Sequence, residues 1–134
     1  MNTLLVDQLI IGVDFDGTIT TEPDMGCELT LQPDCKRVLQ WLKEQDVRLV
    51  LWTCRTDVGL KEAENFLIRN EMLDLFEAVN DNIPEVNQKY APHVSRKLGA
   101  DYYIDDKNLG CRIDWLFIEE TLKSVLEKMQ AHEV

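Results

Sequence analysis

The chain has 134 residues, 45% of them hydrophobic and 29% charged, with a net charge of −11 and a pI near 4.5. That size suits one domain with a real core, and the acidic balance argues against a broad electrostatic grip on nucleic acid. No stretch approaches the roughly 18 apolar residues of a membrane-spanning helix, and Met1–Gln8 carries Asp7 without a basic cluster, so neither membrane span nor signal peptide is expected. Cys27, Cys35, Cys54 and Cys111 show no CxxC spacing and read as reduced thiols of a cytoplasmic protein.

The first predicted element is a strand over residues 9–14. Its run Leu9-Ile10-Ile11-Gly12-Val13 is apolar on both faces, as in a buried parallel strand, and it ends in Asp14-Phe15-Asp16-Gly17-Thr18. Side chains two apart on an extended chain point the same way, so Asp14 and Asp16 can face one point beyond the strand's carboxyl end. Two carboxylates there repel unless a cation or a proton lies between them, which suggests a metal site, a nucleophile with an acid/base partner, or both.

Residues 15–32, with Gly17, Pro23 and Gly26, predict a small hairpin or flap too short to be a domain. Pro33 and Asp34 suit a helix start, and Cys35, Val38, Leu39 and Leu42 give one apolar face up to about residue 45. Residues 47–53 read as a second buried strand running into Cys54-Arg55-Thr56-Asp57. A helix over about 57–70 and a short strand over 76–80 follow. Pro84 and Pro92 leave short helical pieces around 85–90 and 93–97. A fourth strand, 101–104, ends in Asp105-Asp106. A last helix, about 113–130, carries Leu116, Ile118, Leu122, Val125, Leu126 and Met129, with Glu119 and Lys123 in a favourable i,i+4 order.

This alternation predicts a three-layer α/β fold with a mainly parallel sheet. In such a sheet the carboxyl ends of the strands share one edge. Asp14/Asp16, Thr53 and Asp105/Asp106 should therefore converge. His93 and His132 lack metal-ligand spacing, and Trp41, Trp52 and Trp115 read as packing residues.

At these residues the sequence resembles the haloacid dehalogenase-like (HAD) superfamily. Asp14-Phe15-Asp16-Gly17-Thr18 is similar to its DxDGT motif, Thr53 to its strand-end Thr or Ser, Lys97 to its motif lysine, and Asp105-Asp106 to its last acidic motif. The resemblance implies a Rossmann-like (HAD-like) fold and a Mg²⁺-dependent phosphatase. Asp14 would be the nucleophile that becomes an aspartyl-phosphate, and Asp16 the acid/base. It implies Mg²⁺ ligands from the Asp14 carboxylate, the Asp16 backbone carbonyl and Asp105, with Asp106 either a ligand or the partner of one. Thr53, Cys54, Arg55 and Lys97 would surround the phosphate, with Thr53 and Lys97 completing the catalytic set. Lys97 is preferred over Lys89 for its spacing to Asp105. Arg55 reads as a substrate contact or a surface ion pair, and Cys54 as a buried thiol without a base partner. Lys107 and Asn108 lie on a loop expected near the site.

The segment between Thr18 and the first helix and the segment from Asn80 to Lys97 are too short for a cap domain, so the chain resembles the capless group. Its substrate would be a phosphorylated small molecule or an exposed phosphate on a macromolecule, with a second copy of the chain as one way to cover an open site. Two other classes compete. One is a receiver-like phosphoacceptor module, which would use Asp81 after the third strand. The other is a catalytically idle binding protein on the same fold.

Overall fold

The structure is a computed structural model that describes residues 4–21 and 28–132. Four strands alternate with helices: β1 (Ile10–Val13), α1 (Cys35–Glu44), β2 (Arg48–Leu51), α2 (Asp57–Arg69), β3 (Phe76–Val79), α3 (Pro84–Tyr90), β4 (Tyr102–Ile104) and α4 (Trp115–His132). A 3₁₀ turn, Leu73–Leu75, precedes β3. All pairings within the sheet are parallel and its strand order is β3-β2-β1-β4. The α/β fold with a parallel sheet is as expected from the alternation of elements.

The central strands β1 and β2 are buried on both faces, while the edge strands β3 and β4 are partly exposed, and the period of two sorts their side chains. Ile11, Val13, Leu49 and Leu51 join α1, α2 and α4 in one core, which includes Val38, Leu39, Leu67 and Leu122. Ile10 and Val50 face the other way, onto Ile83, Val86 and Leu98 around α3. This makes three layers. Because β2 and β3 lie on one side of β1 while β4 lies on the other, the strand order reverses between β1 and β4. At such a reversal the connecting segments diverge and leave a crevice at the carboxyl ends.

Several local expectations are corrected. Residues 93–97 form no helix; five residues after Pro92 gain too little to offset helix nucleation. Helix α1 starts at Cys35, with Asp34 in a left-handed conformation (φ 63°) and Pro33 outside the helix. Glu119 does not pair with Lys123. It is buried, because α4 turns it toward α1, where Arg37 meets it with a fork at 2.8 and 3.1 Å. Lys123 instead lies 3.4 Å from Glu120. Leu116 is exposed beside Phe117; the inward stripe of α4 runs through Trp115, Ile118 and Leu122. The expected flap begins as a hairpin, with a Thr20–Leu31 antiparallel bridge. Its Pro23, Gly26 and Cys27, like the His132 side chain, fall outside what is described. No helix among the described residues is long and apolar enough to cross a membrane.

The turn after β1 has a strict requirement. Gly17 sits at φ 77°, and a Cβ placed there would lie 2.2 Å from an Asp106 oxygen. Gly110 has the same φ but open space around it. Gly110→Ala should cost about 1 kcal/mol from the left-handed backbone alone. Gly17→Ala should cost clearly more, because it also displaces the Asp106 carboxylate. Urea unfolding of the two variants checks this ordering.

Candidate acidic site at the strand ends

The strand register lines up the ends of the sheet. Val13 pairs with Leu51 and Ile104, and Leu51 pairs with Val79. The ladder continues one step further, with Asp14 N–H donating to the Ile104 carbonyl (2.9 Å), Trp52 N–H to Val13 (2.8 Å) and Asn80 N–H to Leu51 (2.8 Å). Asp14, Trp52, Asn80 and Asp105 therefore leave the sheet at one level, and the loops that follow share the crevice.

Asp14, Asp105 and Asp106 converge there, each offering a carboxylate oxygen within 4.8 Å of the others. All three are half-buried. Burial first, then a hydrogen bond shared with Asp106 and the charges of Asp105 and Asp106, push the Asp14 carboxyl up to about 7 from its ordinary 3.8. The Phe15 N–H pulls it the other way and is outweighed. Three carboxylates with no thiol or imidazole among them form a hard, all-oxygen donor set. That suits Mg²⁺ and is poor for a thiophilic metal.

Thr18 ties this cluster together. Its buried hydroxyl lies 3.3 Å from Asp14 Oδ2 and 3.4 Å from Asp106 Oδ1, and it accepts the Asp106 N–H at 3.1 Å. The Thr18 carbonyl accepts the Trp115 indole N–H at 2.9 Å, which anchors the turn to the start of α4. Lys107 N–H donates to Asp105 Oδ1 at 2.8 Å. Trp115 thus does more than fill space, and Thr18 is a site residue that spacing alone did not distinguish from the rest of its motif.

Thr53 stands at the end of the neighbouring strand. Its N–H donates to Asn80 Oδ1 at 2.8 Å, and its Oγ1 accepts the Arg55 N–H at 3.1 Å. That bond leaves the Thr53 hydroxyl hydrogen free to point at an anion. Asn80 holds the loop a second time through the Arg55 carbonyl, 3.4 Å away, and is a supporting residue that sequence reading missed. Its one signal was an Asn at a strand end, where a left-handed turn (φ 54°) is tolerated.

The Asp16 carboxylate is not part of the acidic cluster. Both its oxygens are held at 2.8 Å by Arg55, through Nε and Nη2. Arg55 is thus in an ion pair, within the site rather than on a remote surface. Cys54 is exposed, not buried, because the chain has already left the sheet. No hydrogen bond of its thiol is found among the described residues. Lys97 is exposed on the irregular segment before β4, with Nζ 5.2 Å from the centre of the Tyr103 ring, and it forms no ion pair with Asp14. Lys89 donates to the Leu5 carbonyl, ahead of β1 and at the opposite edge of the sheet. Asp81 stays apart from the acidic cluster, accepting the Asn82 N–H (2.7 Å) and the Asn87 side-chain amide (3.2 Å).

No protein-family model matches the chain, and no curated protein matches it. Among solved structures, the "Structure of the conserved protein coded by locus from Bacteroides thetaiotaomicron" is similar, with a TM-score of 0.71 and 34% identity over 88% of this chain and 92% of that one. At that identity and coverage, this chain belongs to the same family as the Bacteroides thetaiotaomicron protein.

Proposed function

We propose that the protein is a Mg²⁺-dependent phosphomonoester hydrolase of the capless HAD type, acting through an aspartyl-phosphate on Asp14. The observation that carries this reading is the convergence of Asp14, Asp105 and Asp106 at the strand-order reversal, with Thr53 one strand away. Asp14, Asp105 and Asp106 would hold the cation, together with the backbone carbonyl of Asp16. Bound Mg²⁺ would neutralise charge that otherwise keeps a phosphate dianion and a carboxylate apart.

An Asp14 oxygen attacks phosphorus, and the bond to the leaving oxygen breaks as Asp16 gives that oxygen a proton. Water then attacks the same phosphorus, Asp16 takes one of its protons, and the bond to Asp14 breaks to release inorganic phosphate. Thr53 donates its hydroxyl to a phosphoryl oxygen. Cys54 and Arg55 follow on the same loop, and Lys97 would swing from Tyr103 to balance the added negative charge. The substrate is a phosphorylated small molecule or an exposed phosphate on a macromolecule. The net charge of −11 argues against a nucleic acid. A cytoplasmic location and a second copy of the chain over the open site belong to this proposal as well. The receiver-like alternative gains no support from Asp81, which does not share a site with the acidic cluster.

Purified protein with Mg²⁺ should release phosphate from at least one member of a broad phosphomonoester panel. Asp14→Asn should lower that rate at least about 10³-fold. No release from any substrate, or an equally active Asp14→Asn variant, would sink the proposal. The cation also has a stability signature. Because the Asp14 carboxyl is raised to about 7, its proton stabilises the fold fully below about pH 4, and that contribution is lost as pH rises through 7. A cation that replaces the proton should therefore raise Tm more at pH 8 than at pH 5, by about 3 °C or more at saturation. Thermal scans with Mg²⁺ and with chelator read this directly; an equal rise at both pH values contradicts it.

A further inference from the structure

We propose that Arg55 is a positioning residue that clamps Asp16 while the site is empty and is pulled off by the substrate's phosphate. This inference rests on the hydrolase reading above. Arg55 presents its fork edge-on, Nε to one Asp16 oxygen and Nη2 to the other, both at 2.8 Å. Bidentate guanidinium–carboxylate pairing occupies the two oxygens on the side from which a proton is best passed. In this arrangement Asp16 cannot present a proton to a leaving group; the fork has to open first.

The surroundings make Arg55 ready to change partners. Its guanidinium carbon lies 5.2 Å from the centre of the buried Phe15 ring, which gives the planar group a flat face to slide on. Its Nη1 donates to the Gly59 carbonyl at 3.0 Å and lies 3.5 Å from Glu62, so the side chain stays tethered to α2 when the fork opens. Its own backbone N–H is already bonded to Thr53 Oγ1, the hydroxyl that would face the phosphate. A phosphate beside Thr53 therefore arrives next to a guanidinium whose carboxylate partner in the crevice, among the described residues, is Asp16. A phosphomonoester dianion, with three terminal oxygens, accepts the same bidentate fork and carries more charge. As the phosphate draws the fork, Asp16 is released for proton transfer only when there is something to hydrolyse.

The clamp predicts a thermodynamic coupling that simple support of the loop does not. Inorganic phosphate binding, measured by calorimetry in Mg²⁺ buffer on the whole chain, should weaken at least about tenfold in Arg55→Ala. Asp16→Asn should bind phosphate about tenfold more tightly, because it frees the fork. In the double variant that gain should vanish. Arg55→Lys keeps the charge without the fork and should behave like Arg55→Ala in this coupling; its thermal unfolding verifies a folded protein. Two results overturn the clamp while leaving the hydrolase reading intact: unchanged phosphate affinity in Arg55→Ala, or an equal Asp16→Asn gain with and without Arg55. If the parent protein neither binds phosphate nor hydrolyses any ester, the hydrolase reading falls and the clamp falls with it.

Discussion

The candidate site at the carboxyl edge of the sheet is governed by mutual repulsion among carboxylates held close by the strands. Asp14 and Asp105 are held side by side, since each leaves its strand one residue past a fixed parallel pairing, Val13 with Ile104. Asp106 follows directly, locked by Thr18 and by the lack of room for any side chain at Gly17. The fold keeps three negative charges within a few ångströms, and relief comes from a proton on Asp14 or from a cation. The hydrophobic core provides the rigidity for this, because Ile11, Val13, Leu49 and Leu51 are fully buried among three helices and cannot shift independently.

The two aspartates of the Asp14-Phe15-Asp16 turn are held by different partners. Spacing two apart on an extended chain would aim both at one point, and the backbone turn changes that. After Asp14 the chain stops being a strand, with Thr18, Ile19 and Thr20 all donating back to the Phe15 carbonyl. Asp14 stays with the acidic cluster while Asp16 swings across to Arg55. In the hydrolase reading, Asp14 is the carboxylate at which a cation and a phosphorus atom would meet. The other is held in reserve by a guanidinium, which in the hydrolase reading separates nucleophile from acid/base before any substrate arrives.

Much of this was legible in the sequence, and the boundary is a physical one. Strands apolar on both faces, alternating with amphipathic helices, dictate a parallel sheet, and a parallel sheet gathers its strand ends. The meeting of Asp14 with Asp105 and Asp106 was therefore readable from order alone. Contacts that depend on side-chain direction over long sequence separations were not. Thr18 bridges to Asp106, Asn80 caps the Thr53 loop and Trp115 anchors the Thr18 carbonyl, and no local pattern encodes such pairs. Glu119 shows the same limit: an i,i+4 neighbour was available in sequence, yet the fork of Arg37 on another helix is the better partner for a buried carboxylate. Lys97 lies at the expected distance before β4, but its exposed stem lets the ammonium rest near Tyr103, where spacing cannot place it.

The central claim is that Asp14 becomes covalently phosphorylated during turnover. It is tested most directly by acid-quenching the protein in the presence of Mg²⁺ and a hydrolysable phosphomonoester, then mapping the acyl phosphate by borohydride reduction and peptide mass spectrometry. Transient label at Asp14 is expected, absent from Asp14→Asn; with an activated aryl phosphate, whose leaving group needs no proton, it should accumulate in Asp16→Asn, where release of the phosphoryl group to water lacks its base. Turnover without label at Asp14, or label confined to Asp81, would contradict it.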